Sequence, residues 1–179
     1  MILEKNINSK NLIIKSLNLK NFNVNYPKWL NDKKINRFLE ARLKKYNLKD
    51  VKSFIINSNK NKNCFLLGIF LKKNNLHIGN IKIDNISQFH SKAIIGILIG
   101  EKKYWNKGFA TETIKAVTKF SFSTLKIKNL FAGCYDNNTG SYMAFKKAGW
   151  KRNSKINSYW RYKNKRVSEI ILSVSYKKN

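Results

Sequence analysis

The stretch that most limits how this chain can fold is Ala93–Ile99, an apolar run interrupted only by Gly96. A strand of that composition is expected inside a sheet with both faces covered. It leads into a basic loop bounded by glycines, Gly100–Gly108, and then into a helical pattern reaching about Thr124, with Ile114, Val117, Phe120 and Leu125 on one face. In Tyr104–Glu112 (YWNKGFATE) the small residues Gly108 and Ala110 fall at the helix start. Unpaired backbone N–H groups there point outward, the helix dipole adds partial positive charge, and Gly108 lets a ligand approach the backbone. With Lys107 alongside, the junction suits a pyrophosphate. Taken alone, the same residues also fit an ordinary helix start with Trp105 as its aromatic anchor.

The flanking sequence supplies a mixed α/β order. Leu12–Leu19 reads as a strand, followed by short helical pieces at Val24–Asn31 and Ile35–Arg42 and a helix at Leu48–Asn57, with Asn57–Asn63 as a loop. Cys64–Leu71 and Leu76–Ile86 form a hairpin pair around Lys72–Asn75. Further on, Ile127–Tyr135 is a strand and Thr139–Ala148 a helix closed by Gly149 as its left-handed cap. Gly149–Ser158 and Val167–Tyr176 are the final strands, and in the latter Ile170, Leu172, Val174 and Tyr176 alternate with polar residues. No linker composition and no repeat breaks this order, so residues 1–179 are expected to form one domain.

Charge narrows the partners less than it first suggests. The formal net charge of +28 attracts polyanions in general. Yet the excess is spread evenly along the chain, and 32 of the 37 basic residues are Lys rather than the Arg that nucleic-acid recognition favours. Lys, Asn and Ile, which share A/T-rich codons, dominate the sequence, so genome composition can account for the lysines. No dedicated nucleic-acid binding is expected. No apolar run approaches the ~20 residues of a membrane helix, and the first residues lack signal-peptide features. Cys64 and Cys134 are isolated, which predicts free thiols, a cytoplasmic location and no metal.

Four pieces in order, IGILIGEK (Ile95–Lys102), YWNKGFATE, LFAGCYDNNTGS (Leu130–Ser141) and AFKKAGW (Ala144–Trp150), resemble the GNAT acetyltransferases. The resemblance is to the branch that contains the ribosomal-protein-alanine acetyltransferases (RimJ/RimL-type), and YPKWLNDKKINRFLEAR (Tyr26–Arg42) looks like that branch's substrate-side helices. It implies an α/β (α+β) GNAT fold, with a mixed sheet of about six to seven strands flanked by helices on both faces, and acetyl-CoA as co-substrate. It also implies that backbone amides of Trp105, Asn106, Lys107, Gly108, Phe109, Ala110 and Thr111 hold the pyrophosphate, although the motif's usual Gln or Arg is Trp105 here. Ile97, Leu98 and Ile99 would pair with pantetheine, Asn138 would bond the cofactor arm, and Ser141 would lie near its sulfur.

Amine acetylation requires removal of an ammonium proton, donors for a tetrahedral oxyanion and departure of the CoA thiolate. Relatives often carry a glutamate where this chain has Ile94, and many carry a tyrosine acid where it has Phe145. His90, in the loop just before the central strand where similar sequences often have a His, is the candidate base, with Ser141 and Tyr142 as candidate acids. Trp29 and Asp84 are candidates for binding the acceptor, whereas His77 and Cys134 read as structural. The expected acceptor is a small-molecule primary amine, such as a nucleotide-linked amino sugar. The α-amine of a ribosomal protein is the alternative, and a catalytically inactive CoA- or polyanion-binding protein of the same fold is the rival from another class.

Overall fold

Hydrophobic alternation along the strands sorts the apolar side chains onto two faces of one sheet, and each face recruits its own helices. The computed structural model describes residues 1–162 and 164–177. Its strands are β1 (Ile7–Asn8), β2 (Leu12–Ser16), β3 (Phe65–Leu71), β4 (His77–Ser87), β5 (Lys92–Ile99), β6 (Asn129–Tyr135), β7 (Lys151–Tyr162) and β8 (Lys165–Ser175). They lie in the order β1-β2-β3-β4-β5-β6-β8-β7. Every neighbouring pair is antiparallel except β5 and β6, which run parallel. The sheet thus has eight strands rather than six to seven. The extra one, β1, spans only two residues, too short for a period-two pattern to register.

The helices are α1 (Tyr26–Asn31), α2 (Leu48–Lys60), α3 (Phe109–Ser123) and α4 (Thr139–Lys147). On one face Ile114 and Val117 of α3 and Phe145 of α4 close over Leu67, Ile81, Ile83, Ile95, Leu130 and Leu172. On the other, Tyr26 and Trp29 of α1 and Val51 and Ile55 of α2 cover Leu66 and Phe70. The helix expected at Ile35–Arg42 is a run of turns ending in a 3-10 turn, Glu40–Leu43. Its apolar residues are too discontinuous to bury one helical stripe. Asn47 starts α2 with a reciprocal capping box to Asp50, and the helix runs to Lys60 through much of the predicted loop. Among the described residues, no helix is long and apolar enough to cross a membrane.

β5 departs from its prediction in a way that matters. Ala93 and Ile95 are buried, but Ile94, on the opposite face, is 42% exposed. The helices α1 and α2 cover β2 and β3 and stop short of the sheet's centre, leaving that face of β5 and β6 open.

Candidate active site

The parallel pair at the sheet's centre is short. Only Lys92–Ile94 of β5 pair with Asn129–Phe131 of β6; beyond Ile94 the two strands part. On its other edge β5 stays paired with β4 as far as Ile99. The Gly100 amide donates to the Ile78 carbonyl at 2.9 Å, and antiparallel alternation then sends the polar groups of Ile94, Gly96 and Leu98 towards β4. Those of Ile95, Ile97 and Ile99 face the gap. The Ile99 carbonyl is taken by the indole Nε1–H of Trp105 at 2.8 Å. Of the three residues predicted to pair with a cofactor, Ile97 therefore presents both backbone groups to the gap, Ile99 presents its N–H, and Leu98 is already committed to β4.

At the wide end of the gap lies the glycine loop. Asn106 and Gly108 adopt positive φ (58° and 79°), and Gly108 is the N-cap of α3. No backbone or side-chain acceptor among the described residues meets the amides of Asn106 to Thr111. They form a concave run of donors at a helix start, the arrangement that receives anions. A depression of about 470 Å³ beside it is lined by Lys10, Lys72, Lys73 and Lys107, with Tyr104 and Phe109. Glu112, in the first turn of α3, turns away from the gap: it accepts from Ser9 Oγ (2.8 Å) and from the amide and side chain of Asn11 (2.6 and 2.9 Å). Those bonds hold its carboxyl below the usual range against a burial cost that pushes the other way. Across the gap, Asn138 caps α4 by accepting from the Ser141 amide at 3.3 Å, which leaves its Nδ2 free to reach outward.

The open face beyond the narrow end is floored by Ile94, Gly96, Phe131 and Gly133. A Cβ at Gly96 would meet nothing within 4 Å, whereas one at Gly133 would meet Glu169 Oε1 at 2.0 Å. The Glu169 carboxylate, arriving from β8, thus lies directly over β6. Burial raises its pKa above the usual carboxylate range. The nearby indole N–H of Trp160, buried without a partner of full hydrogen-bond geometry, pulls it partway back. Tyr135 Oη donates to Glu40 Oε1 at 2.8 Å, and burial, then Glu40, push that phenol up to about 12. Arg42 lies over the Tyr135 ring at 5.4 Å and the Tyr162 ring at 5.7 Å. Phe38 stacks on Tyr162, and Trp160 lies 5.9 Å from Tyr135. On the opposite wall Asp84 is held by Lys82 at 2.7 Å.

A parallel strand pair that parts over a helix-start donor cradle has a family behind it: residues 11–151 match the model of the acetyltransferase (GNAT) domain. This chain belongs to the GNAT family. The uncharacterised N-acetyltransferase YnaD of Bacillus subtilis (strain 168) is 25% identical over 146 residues, covering 82% of each chain. A GNAT-family acetyltransferase from Bacillus anthracis shares the fold with a TM-score of 0.82 at 22% identity, over 96% of this chain and 98% of that one. RimJ of Mycobacterium smegmatis, solved in complex with CoA-disulfide, gives 0.77 at 11% identity, over 92% and 81%.

Within this GNAT chain the predicted acceptor-side residues scatter. Trp29 is only 3% exposed. Its ring packs on Gly100, where a Cβ would meet it at 2.0 Å, and its Nε1–H donates to Glu101 at 3.2 Å. It is core, and no acceptor can line up along it. His90 sits exposed in the β4–β5 turn against Phe89, separated from the gap by the β5–β6 rungs. Asp84 is on the open face but already paired with Lys82. Ser141 and Tyr142 occupy the first turn of α4 beside the gap, both half-buried. Phe145 is buried against Trp150. His77 is structural, as its strand position suggests: Nδ1 accepts from the Asn23 amide at 2.9 Å, which places the proton on Nε2. Burial pushes its pKa down to about 4. Burial pushes the Cys134 thiol up to about 11, with Glu169 and Asp136 adding to it.

Sequence reasoning missed Glu169, Tyr135 and the Glu40–Arg42 turn. The signal for Glu169 was present in β8, because the alternation that buries Ile170 and Leu172 puts residue 169 on the other face. What one strand cannot tell is that this other face is the open one. Among the described residues, no group of three or more His, Cys, Asp or Glu is placed to hold a metal.

Proposed function

We propose that this chain transfers acetyl from acetyl-CoA to the primary amine of a small molecule, by direct attack on the thioester. The observation that carries it is the run of unbonded amides from Asn106 to Thr111, opening onto a gap that Ile97 lines with unpaired backbone groups. The diphosphate would be held by those amides, with Lys107 and the neighbouring lysines adding charge. Pantetheine would extend along Ile97 and the Ile99 N–H, and Asn138 Nδ2 would bond its arm. The acetyl group would then reach the narrow end of the gap, where Ser141 and Tyr142 can protonate the departing thiolate. No covalent acetyl-enzyme is needed, since amine and thioester meet in one cavity.

The acceptor reading is an amine that carries phosphate, such as a nucleotide-linked amino sugar. Its support is the wall around the open face, where Arg37 stacks on Phe38 at 4.5 Å beside the aromatic cluster, with a net charge of +28 behind it. Calorimetric titration with acetyl-CoA at ~300 mM salt, where screening acts within ~5–6 Å, tests the cofactor site against general polyanion attraction. Stoichiometric binding by wild type and none by Gly108→Glu is the expected result; equal behaviour of the two overturns it. Turnover of UDP-linked amino sugars, read as released thiol, tests the acceptor. Preference for a peptide α-amine would reassign the open face to a protein N-terminus.

A further inference from the structure

We infer that Glu169 is the general base, taking the proton of the acceptor's ammonium group at a site bounded by Gly133, Trp160 and Tyr135. The inference rests on the transferase reading above and adds the residue that the sequence left open. Position comes first. Gly133 lies two residues past Phe131, where β6 makes its last rung to β5, so at ~3.3 Å per residue it stands at the mouth of the gap. Glu169 belongs to the next strand over, but its carboxylate is folded back across β6 on the side where β6 has only a glycine. Any side chain at residue 133 would occupy that place.

Availability is the second point. The carboxylates named around the open face, Asp84, Glu40 and Glu169, differ in one respect. Glu40 is bound to Arg42 at 3.0 Å. Asp84 is bound to Lys82 Nζ at 2.7 Å, whereas Glu169 has no cationic partner among the described residues. A carboxylate already engaged by an ammonium is a poor acceptor for another's proton. A partly buried one without a counter-ion gains by receiving it. Both histidines are elsewhere, His77 beneath α1 and His90 on the outer turn.

The surroundings suit a cation. Two aromatic rings stand close by, Tyr135 and Trp160 with centroids 5.9 Å apart, and aromatic faces attract an ammonium. The groups that bear on Glu169 are the phenol of Tyr135, bonded to Glu40 and covered by Arg42; the thiol of Cys134, from the far face of β6; and the Asp136–Lys155 pair at 3.2 Å. The buried Trp160 N–H, close enough to Glu169 to favour its charged form, is a donor directed at the carboxylate.

The step balances as follows. The ammonium gives one proton to Glu169, and its nitrogen lone pair forms a C–N bond to the thioester carbon. The resulting oxyanion collapses, the C–S bond breaks with its electron pair on sulfur, Ser141 or Tyr142 gives its proton to the thiolate, and the second nitrogen proton replaces it. The products are the amide and CoA-SH, with the Glu169 proton released to solvent.

Three readouts on full-length Glu169→Gln and Glu169→Asp test it: acetyl-CoA affinity by calorimetry, thiol release with a UDP-linked amino sugar, spermidine and an Ala-initiated peptide as amine probes, and the pH profile of kcat. Glu169→Gln is expected to bind acetyl-CoA like wild type while losing ~10²–10³-fold in kcat, with the acid limb of the profile gone. Glu169→Asp should recover part of the rate and keep a shifted limb. A Gln variant with wild-type kcat and an intact acid limb overturns the base assignment and leaves the transferase reading standing. So does loss of acetyl-CoA binding in both variants, which marks a structural role. A wild-type protein that binds acetyl-CoA and turns over none of the probes overturns the transferase reading and the base together.

Discussion

The two sides of the central gap are built from different material. The proposed cofactor side is one continuous stretch, Ile95 to Thr111, whose available groups are backbone amides aimed by local conformation: positive φ at Asn106 and Gly108, then a helix start. The proposed acceptor side is assembled from side chains far apart in the chain: Glu40 and Arg42 from a turn, Tyr135 from β6, Trp160 from β7 and Glu169 from β8. Backbone recognition tolerates substitution so long as the path of the chain is kept. Side-chain recognition is free to change from protein to protein, so one transfer chemistry can serve many amines.

The contrast can be broken most severely at Gly108. Replacement by Glu puts a carboxylate in the donor cradle and a side chain at a φ of 79°, and acetyl-CoA affinity should fall ~10³-fold or more in calorimetry. A comparable fall in Glu169→Gln would erase the division of labour.

Acid should then separate the sides. His77 lies in the cluster of Tyr26, Trp29 and Phe70 beneath α1, with a folded-state pKa of about 4 against an ordinary 6.5. Because the folded pKa is the lower one, the unfolded chain binds the proton first. Stability is complete above pH 6.5 and declines by roughly 3 kcal/mol as pH falls to 4. Chemical denaturation across that window should show the decline in wild type and a flatter profile in His77→Gln. As the proposed base takes up its proton on acidification, kcat should fall before acetyl-CoA binding weakens.

A smaller effect sharpens the acceptor side alone. Gly133→Val drives a methyl into Glu169 Oε1 and should lower kcat by ~10–100-fold with acetyl-CoA affinity unchanged, on the scale of a displaced base. Smallest is Glu112→Gln, which weakens the charge-assisted bonds to Ser9 and Asn11 and should lower stability by about 1 kcal/mol. Since the Glu112 carboxyl sits below its usual pKa, that contribution should be present near neutrality and fade as pH drops below the ordinary 4.5.

The same contrast explains what could be read in advance. The cofactor loop was legible because its function is local: glycine, small residue and helix start are adjacent in sequence. Strand positions were legible from alternation, apart from β1, which is too short; the helix α2 runs on to Lys60, past its predicted end at Asn57. Ile94 was read as buried because an apolar residue on a central strand usually is. Its exposure follows from where α1 and α2 pack, against Leu66 and Phe70 of β3 and not over Ile94. Glu169 could not be assigned before the chain was folded, since its role depends on Gly133 and Trp160, each on another strand. His90 failed for the converse reason: near to β5 in sequence, it is turned outward by a tight hairpin.

Within the described part of the sheet, three paired positions between β5 and β6 join the five strands on one side to the three on the other, with the core beneath α3 and α4 shared by both. The sheet is in effect two plates riveted along a short seam, and the molecule that fills the gap becomes a mortar between them. A ligand at a hundredfold excess over its Kd adds ~2.7 kcal/mol to the folded state, and here that gain should be concentrated on one joint. Amide exchange at Ile95, Ile97 and Ile99 should therefore slow far more than exchange elsewhere in the sheet when acetyl-CoA is present. The enzyme would be stiffest only while it holds the group it is about to give away.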